Sequence, residues 1–160
     1  MFQSTVRNNI AGGVVGDIAF LGPQRAKSYI LNSPDAANNV IGRVFTETGV
    51  EGEAQAGGTG PFAGILINSK VHASYGTSVG TLAPTLTLAN NQQGELMQMG
   101  EVFVALDDVA VSGDVLSYDT TTGEIIVGAP GVGQAAIPNG VVSYFNAVSP
   151  GYLAVAKLTD

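Results

Sequence analysis

One imidazole, thirteen carboxylates and no thiol make up most of the side-chain chemistry available to this 160-residue chain. The imidazole is His72, which follows Lys70-Val71 and precedes Ala73-Ser74-Tyr75 at the edge of an expected loop. A lone histidine is more often a surface or internally satisfied residue than a catalyst or ligand. Without cysteine there are no thiolate ligands, thiol nucleophile or disulfides. A transition-metal site would have to be built from carboxylates, and only Asp107-Asp108, Asp114 and Asp119 lie near one another. Their spacing lacks the alternating ligands, central glycine and closing glutamate of a calcium loop, so they read as solvated turn residues. Two glycine-rich stretches have the outline of phosphate loops. Gly128–Gly133 carries the GxxxxG spacing, but Gln134 and Ala135 stand where lysine and a hydroxyl residue would reach phosphate and magnesium. Gly58-Thr59-Gly60-Pro61-Phe62-Ala63 approximates a dinucleotide fingerprint, yet it leads into a strand-like run and places Pro61 where a backbone donor is needed. A Ser-His-Asp triad is not excluded by residue counts, although no GxSxG elbow is present. The reading is a non-enzyme, with no catalytic residue, no cofactor and no metal assigned.

The elements that would position any such residues are strands. Glycine, proline or an asparagine pair interrupts nearly every window long enough for three helical turns. Runs rich in β-branched and aromatic residues predict strands at Asp17–Phe20, Lys27–Leu31, Val40–Glu47, Phe62–Asn68, Thr85–Ala89, Glu95–Leu106, Asp114–Asp119, Gly123–Val127, Gly140–Phe145 and Tyr152–Leu158. Thr120-Thr121-Thr122, closed by Gly123, marks a hairpin over Asp114–Val127. In the long run Glu95–Leu106, alternation puts Leu96, Val102, Val104 and Leu106 on one side, with a bend or bulge expected at Gly100. Glu51–Pro61, His72–Ala83 and Ala129–Pro138 read as loops. Ser33–Asn39 holds the one expected helical turn, with Ser33 as its cap and Pro34 in the first helical position. The expected architecture is all-β, a small sandwich or barrel.

The surface is unusual. Charged residues are 12% of the chain, about half the usual share, and glycine accounts for 22 residues. A surface this poor in charge resembles the buried part of a protein interface, which predicts a homo-oligomer or a bound subunit, a trimer slightly favoured over a dimer. The net charge is −7, and the basic residues Arg7, Arg25, Lys27, Arg43, Lys70 and Lys157 are scattered singly. No stripe follows a phosphate backbone, so direct nucleic-acid binding is not expected. No run of about 18 apolar residues and no signal-like N-terminus is present, so neither a membrane span nor secretion is expected.

Five segments together carry a family resemblance: Gly16–Phe20 with Gly22–Ala26, Ile30–Thr46 (ILNSPDAANNVIGRVFT), Gly57–Lys70 (GGTGPFAGILINSK), Gly94–Leu106 (GELMQMGEVFVAL) and Gly113–Ile125 (GDVLSYDTTTGEI). From about Gly12 onward the chain resembles the head decoration, or structural cement, proteins of tailed bacteriophages. The resemblance implies a β-rich subunit, jelly-roll-like or β-tulip-like. It also implies a place in the virion, on the head exterior, where the subunit bridges neighbouring major capsid proteins after synthesis in the bacterial host cytoplasm. It brings no catalytic residues. Residues 1–15 are expected to form an extended N-terminal arm, and residues 16–160 a single β domain. In the arm Phe2, Val6, Ile10 and Val14 recur every fourth residue, which suits one side of an extended strand. Together with Arg7 they are the candidate partner interface. Two other classes stay open on the sequence: a receptor- or carbohydrate-binding β-module of a virion, disfavoured by the absence of tryptophan, and a small β-barrel enzyme.

Overall fold

The computed structural model describes residues 13–68, 87–146 and 152–159. Its strands are β1 (Arg25–Leu31), β2 (Val44–Glu47), β3 (Glu53–Ala56), β4 (Phe62–Leu66), β5 (Gln93–Leu106), β6 (Val115–Asp119), β7 (Ile125–Val127), β8 (Gln134–Asn146) and β9 (Tyr152–Leu158). The all-β expectation holds. A single 3-10 turn, Ala36–Asn38, is the one helical element among the described residues, so none of the described helices is long and apolar enough to cross a membrane.

Hydrogen bonding closes five strands into a ring. β1 runs parallel to β3, β3 pairs antiparallel with β2, β2 with β4, and β4 with the first part of β5, which returns to pair with β1. Closure leaves no free edge in this barrel. Its interior is filled by Leu31, Phe45, Leu66 and Leu96 around the small side chains of Ala54, Ala56 and Ala63. A second, antiparallel sheet runs β5–β9–β8–β6–β7. Its inner face, including Val102, Val104, Leu116, Val142 and Ala156, packs on side chains that leave the barrel wall outward, among them Val44, Ile65 and Met97.

β5 belongs to both sheets, and a bulge reconciles its two halves. Ala26 pairs with Met97 whereas Arg25 pairs with Met99, so Gln98 is an extra residue that reverses the side-chain phase. Leu96 therefore points into the barrel, while Met97 joins Val102, Val104 and Leu106 in the layer between barrel and sheet. Strict alternation had placed Leu96 and Val102 on the same side. Gly100, the expected bend, is the first residue paired with β9, opposite Leu158.

Other expectations shift locally. The loop expected at Glu51–Pro61 contains β3, and the one at Ala129–Pro138 contains the start of β8. Asp17–Phe20 contributes one bridge, Ile18 to Val102, and Val40 bridges Thr87 instead of starting a strand. Asp35, not Ser33, caps the 3-10 turn by accepting the Ala37 N–H. The Ser33 hydroxyl is engaged elsewhere, donating to Asn39 Oδ1 and accepting the Ala56 N–H at 2.8 Å. Asn39 Nδ2 in turn donates to Asn90 Oδ1 at 2.8 Å, and Asn90 Nδ2 to the Ser33 carbonyl at 2.9 Å. The two buried polar side chains Ser33 and Asn39 thus hold the segment before β5 against β3, as buried polar groups must find partners.

Candidate functional site

The carboxylates singled out in the sequence do not converge. Asp107 accepts the Val127 N–H at 3.0 Å, Asp108 that of Val109 at 2.7 Å, and Asp114 that of Val111 at 2.9 Å. Asp114 closes a turn, Asp108 bonds the next residue and Asp107 ties the end of β5 to β7, twenty residues away. Among the described residues no group of three or more His, Cys, Asp or Glu could hold a metal. The glycine-rich stretch at Gly58–Ala63 is committed to the hairpin β6–β7, since Gly58 N–H donates to the Thr120 carbonyl. The stretch at Gly128–Gly133 is the turn from β7 to β8, where Gly131 N–H donates to Gln134 Oε1 at 2.8 Å. His72 lies outside the described residues, as do Phe2, Val6, Arg7 and Ile10. Val14 is described and exposed.

Asp119 shows how the hairpin holds its shape. One carboxylate oxygen accepts the N–H groups of Thr121 (2.7 Å) and Thr122 (2.8 Å). These bonds to the charged form, that of Thr122 first, hold its pKa below the ordinary aspartate value, with the Arg43 charge adding to them and partial burial opposing. A depressed folded pKa means that the ionised form favours folding. The stabilisation is complete above the unfolded value of about 4 and is lost as the pH falls through the folded value. We expect Asp119→Asn to flatten the acid limb of a melting-temperature profile below about pH 4. An unchanged acid limb would remove Asp119 from the account.

Arg43, immediately before β2, bridges the two halves of the molecule. Its guanidinium pairs with Glu124 and donates to Asn38 Oδ1 at 2.8 Å and to the Thr122 carbonyl at 3.3 Å. The partners lie 5, 79 and 81 residues away in sequence, so no local spacing announces the cluster. Beside it opens a cleft of about 330 Å³. Val15, Val40, Ile41, Leu106 and Ile125 give it apolar walls, and Arg43, Asp107 and Glu124 give it polar ones.

The segment after Gly13 completes this side. Gly16 N–H donates to the Phe103 carbonyl (2.7 Å), Phe103 N–H to Asp17 (2.9 Å) and Ala19 N–H to Glu101 (2.9 Å), so the segment flanks β5 on the side away from β9. Within eight residues it exposes Val14, Ile18, Phe20 and Leu21, the last 97% accessible. Large apolar side chains are thus exposed in close succession beside β5. The sequence singled out Val14 alone of the four: Ile18 and Phe20 fell in the strand expected at Asp17–Phe20, and Leu21 just beyond it.

The fold and the comparisons point the same way. Aligned with a chain from the capsid of Myoviridae phage XM1, the protein gives a TM-score of 0.66 over 99% of its own length and 98% of the other, at 15% identity, a likeness of fold. No curated protein sequence matches. A family model described as structural cement protein (E217 gp24/Pam3 gp6) matches residues 2–159, nearly the whole chain, and the chain belongs to that phage structural cement family.

Proposed function

We propose that the protein is a capsid decoration subunit that binds the outer surface of a phage head and stabilises the contacts between major capsid proteins. The observation that carries this reading is the family match across residues 2–159. Scarce charge and an exposed apolar run beside β5 support it, since both suit a surface meant to be covered. The role requires no turnover: a subunit that binds only the mature lattice stabilises that lattice by mass action, and many weak copies suffice. Residues 1–15 act as an arm, with Phe2, Val6, Arg7, Ile10 and Val14 engaging a neighbouring subunit or the shell, while 16–160 form the β domain. Self-association, as a trimer in preference to a dimer, belongs to the same proposal.

Undecorated expanded heads of the parent phage, mixed with purified protein, test it. The wild type is expected to bind saturably and to raise the temperature at which the heads lose integrity. Deleting residues 2–11 is expected to leave cooperative melting near the parent temperature and to abolish most of the binding. Heads that take up no wild-type protein would overturn the functional reading, and a deletion that unfolds the domain or binds normally would overturn the arm.

A further inference from the structure

We infer that the cleft beside Arg43 is the seat of an extended, basic segment of the shell protein, one aliphatic side chain entering the cleft and a lysine or arginine lying against Asp107. The inference rests on the decoration reading and adds the partner's chemistry to it. Four observations lead there. The cleft, about 330 Å³, lies at the lower end of the range of small-molecule pockets, a size for one or two side chains. Most of its walls are aliphatic, from Val40, Ile41, Leu106 and Ile125, and the one cationic side chain among them, Arg43, is already engaged within the protein.

The charge around it is unbalanced. Arg43 is already engaged by Glu124, Asn38 and Thr122, so its positive charge is matched within the protein. Asp107 accepts the Val127 N–H and Asp108 that of Val109, both backbone groups without charge, and both carboxylates remain exposed. A cationic side chain therefore complements this rim, and an acidic one is repelled. The exposed run Ile18–Leu21 continues the chain from Val15 in the cleft wall, so an extended segment leaving the cleft has an apolar track to follow.

Two substitutions separate the components. Ala105 lines the cleft from an exposed position, so A105W fills it without entering the core. D107N keeps an oxygen for the Val127 N–H and removes the charge. With undecorated expanded heads as the probe, A105W is expected to bind at least about tenfold more weakly at an unchanged melting temperature. D107N is expected to bind more weakly at low salt and to lose part of the wild type's salt dependence. If A105W lowers the melting temperature, D107N carries the test. Wild-type binding together with D107N binding that matches it at every salt concentration overturns the inference and leaves the decoration reading standing. Failure of the wild type to bind overturns that reading first. A wild-type oligomer that A105W dissociates in free solution would assign the cleft to a second copy of this chain and overturn the shell-segment assignment.

Discussion

Val104→Asp is expected to abolish the cooperative thermal transition of the protein. Val104 is fully buried, pairs with Ala154 across the β5–β9 ladder and lies in the layer that joins barrel to sheet. Every other residue of that layer's buried cluster is apolar apart from the Tyr118 hydroxyl, and no cation is among them. A carboxylate there loses its hydration without gaining a partner, or is neutralised and still buries an unsatisfied acid. The cost is several kcal/mol against a total stability of about 5–15 kcal/mol. Far-UV circular dichroism with a urea titration would measure it. A variant that unfolds cooperatively at the parent midpoint would mean that β5 does not form the interlayer core.

The second large effect is expected at Gly123. It sits at φ +75, and an added Cβ would come within 2.4 Å of the Val44 carbonyl oxygen and 2.8 Å of the Gly57 nitrogen, both backbone atoms. Those atoms belong to the contact that docks the β6–β7 hairpin on the barrel. Val44 N–H donates to the Gly123 carbonyl at 2.8 Å, and Gly57 N–H to the Val44 carbonyl at 2.9 Å. Gly133 supplies an internal control, since it has the same φ of +75 but nothing within 4 Å of an added Cβ. Gly133→Ala should therefore report dihedral strain alone, about 1 kcal/mol. Gly123→Ala should lose that and also force the two backbones apart, for a total of about 3 kcal/mol or more. Equal losses in the two variants, measured by chemical denaturation, would show that the hairpin is not seated against the barrel.

The hairpin was legible because its signals are local: an aspartate that closes the turn, three threonines and a glycine at the one position needing positive φ. β3 was not. Glu53-Ala54-Gln55-Ala56 has weak strand propensity, and its alanines are buried because a five-strand ring leaves little room beside Phe45 and Leu31. The start of β8 was hidden by Pro138. In the fold, Ala136 pairs with Ser117 and Val141 with Val115, so Ile137–Gly140 stand opposite Leu116 alone, and the proline falls in that irregularity where no ladder bond is lost. The phase reversal in β5 escaped for a similar reason, since the extra residue Gln98 exists only relative to Arg25 and Ala26, about seventy positions earlier. The Arg43 cluster and its cleft left no trace in sequence, because their parts come from Val15, the segment before β2, the hairpin and the end of β5.

The sharing of β5 has a mechanical meaning. Barrel and sheet are not two bodies held by side-chain packing, because fourteen consecutive residues of one strand carry hydrogen-bond ladders for both. A tensile load entering at the barrel and leaving at the sheet runs along covalent peptide bonds through Gly100. Before the halves could slip, the rows of ladder bonds on β5 would have to shear together instead of unzipping one at a time. Under such a load the strand acts as a tendon between barrel and sheet.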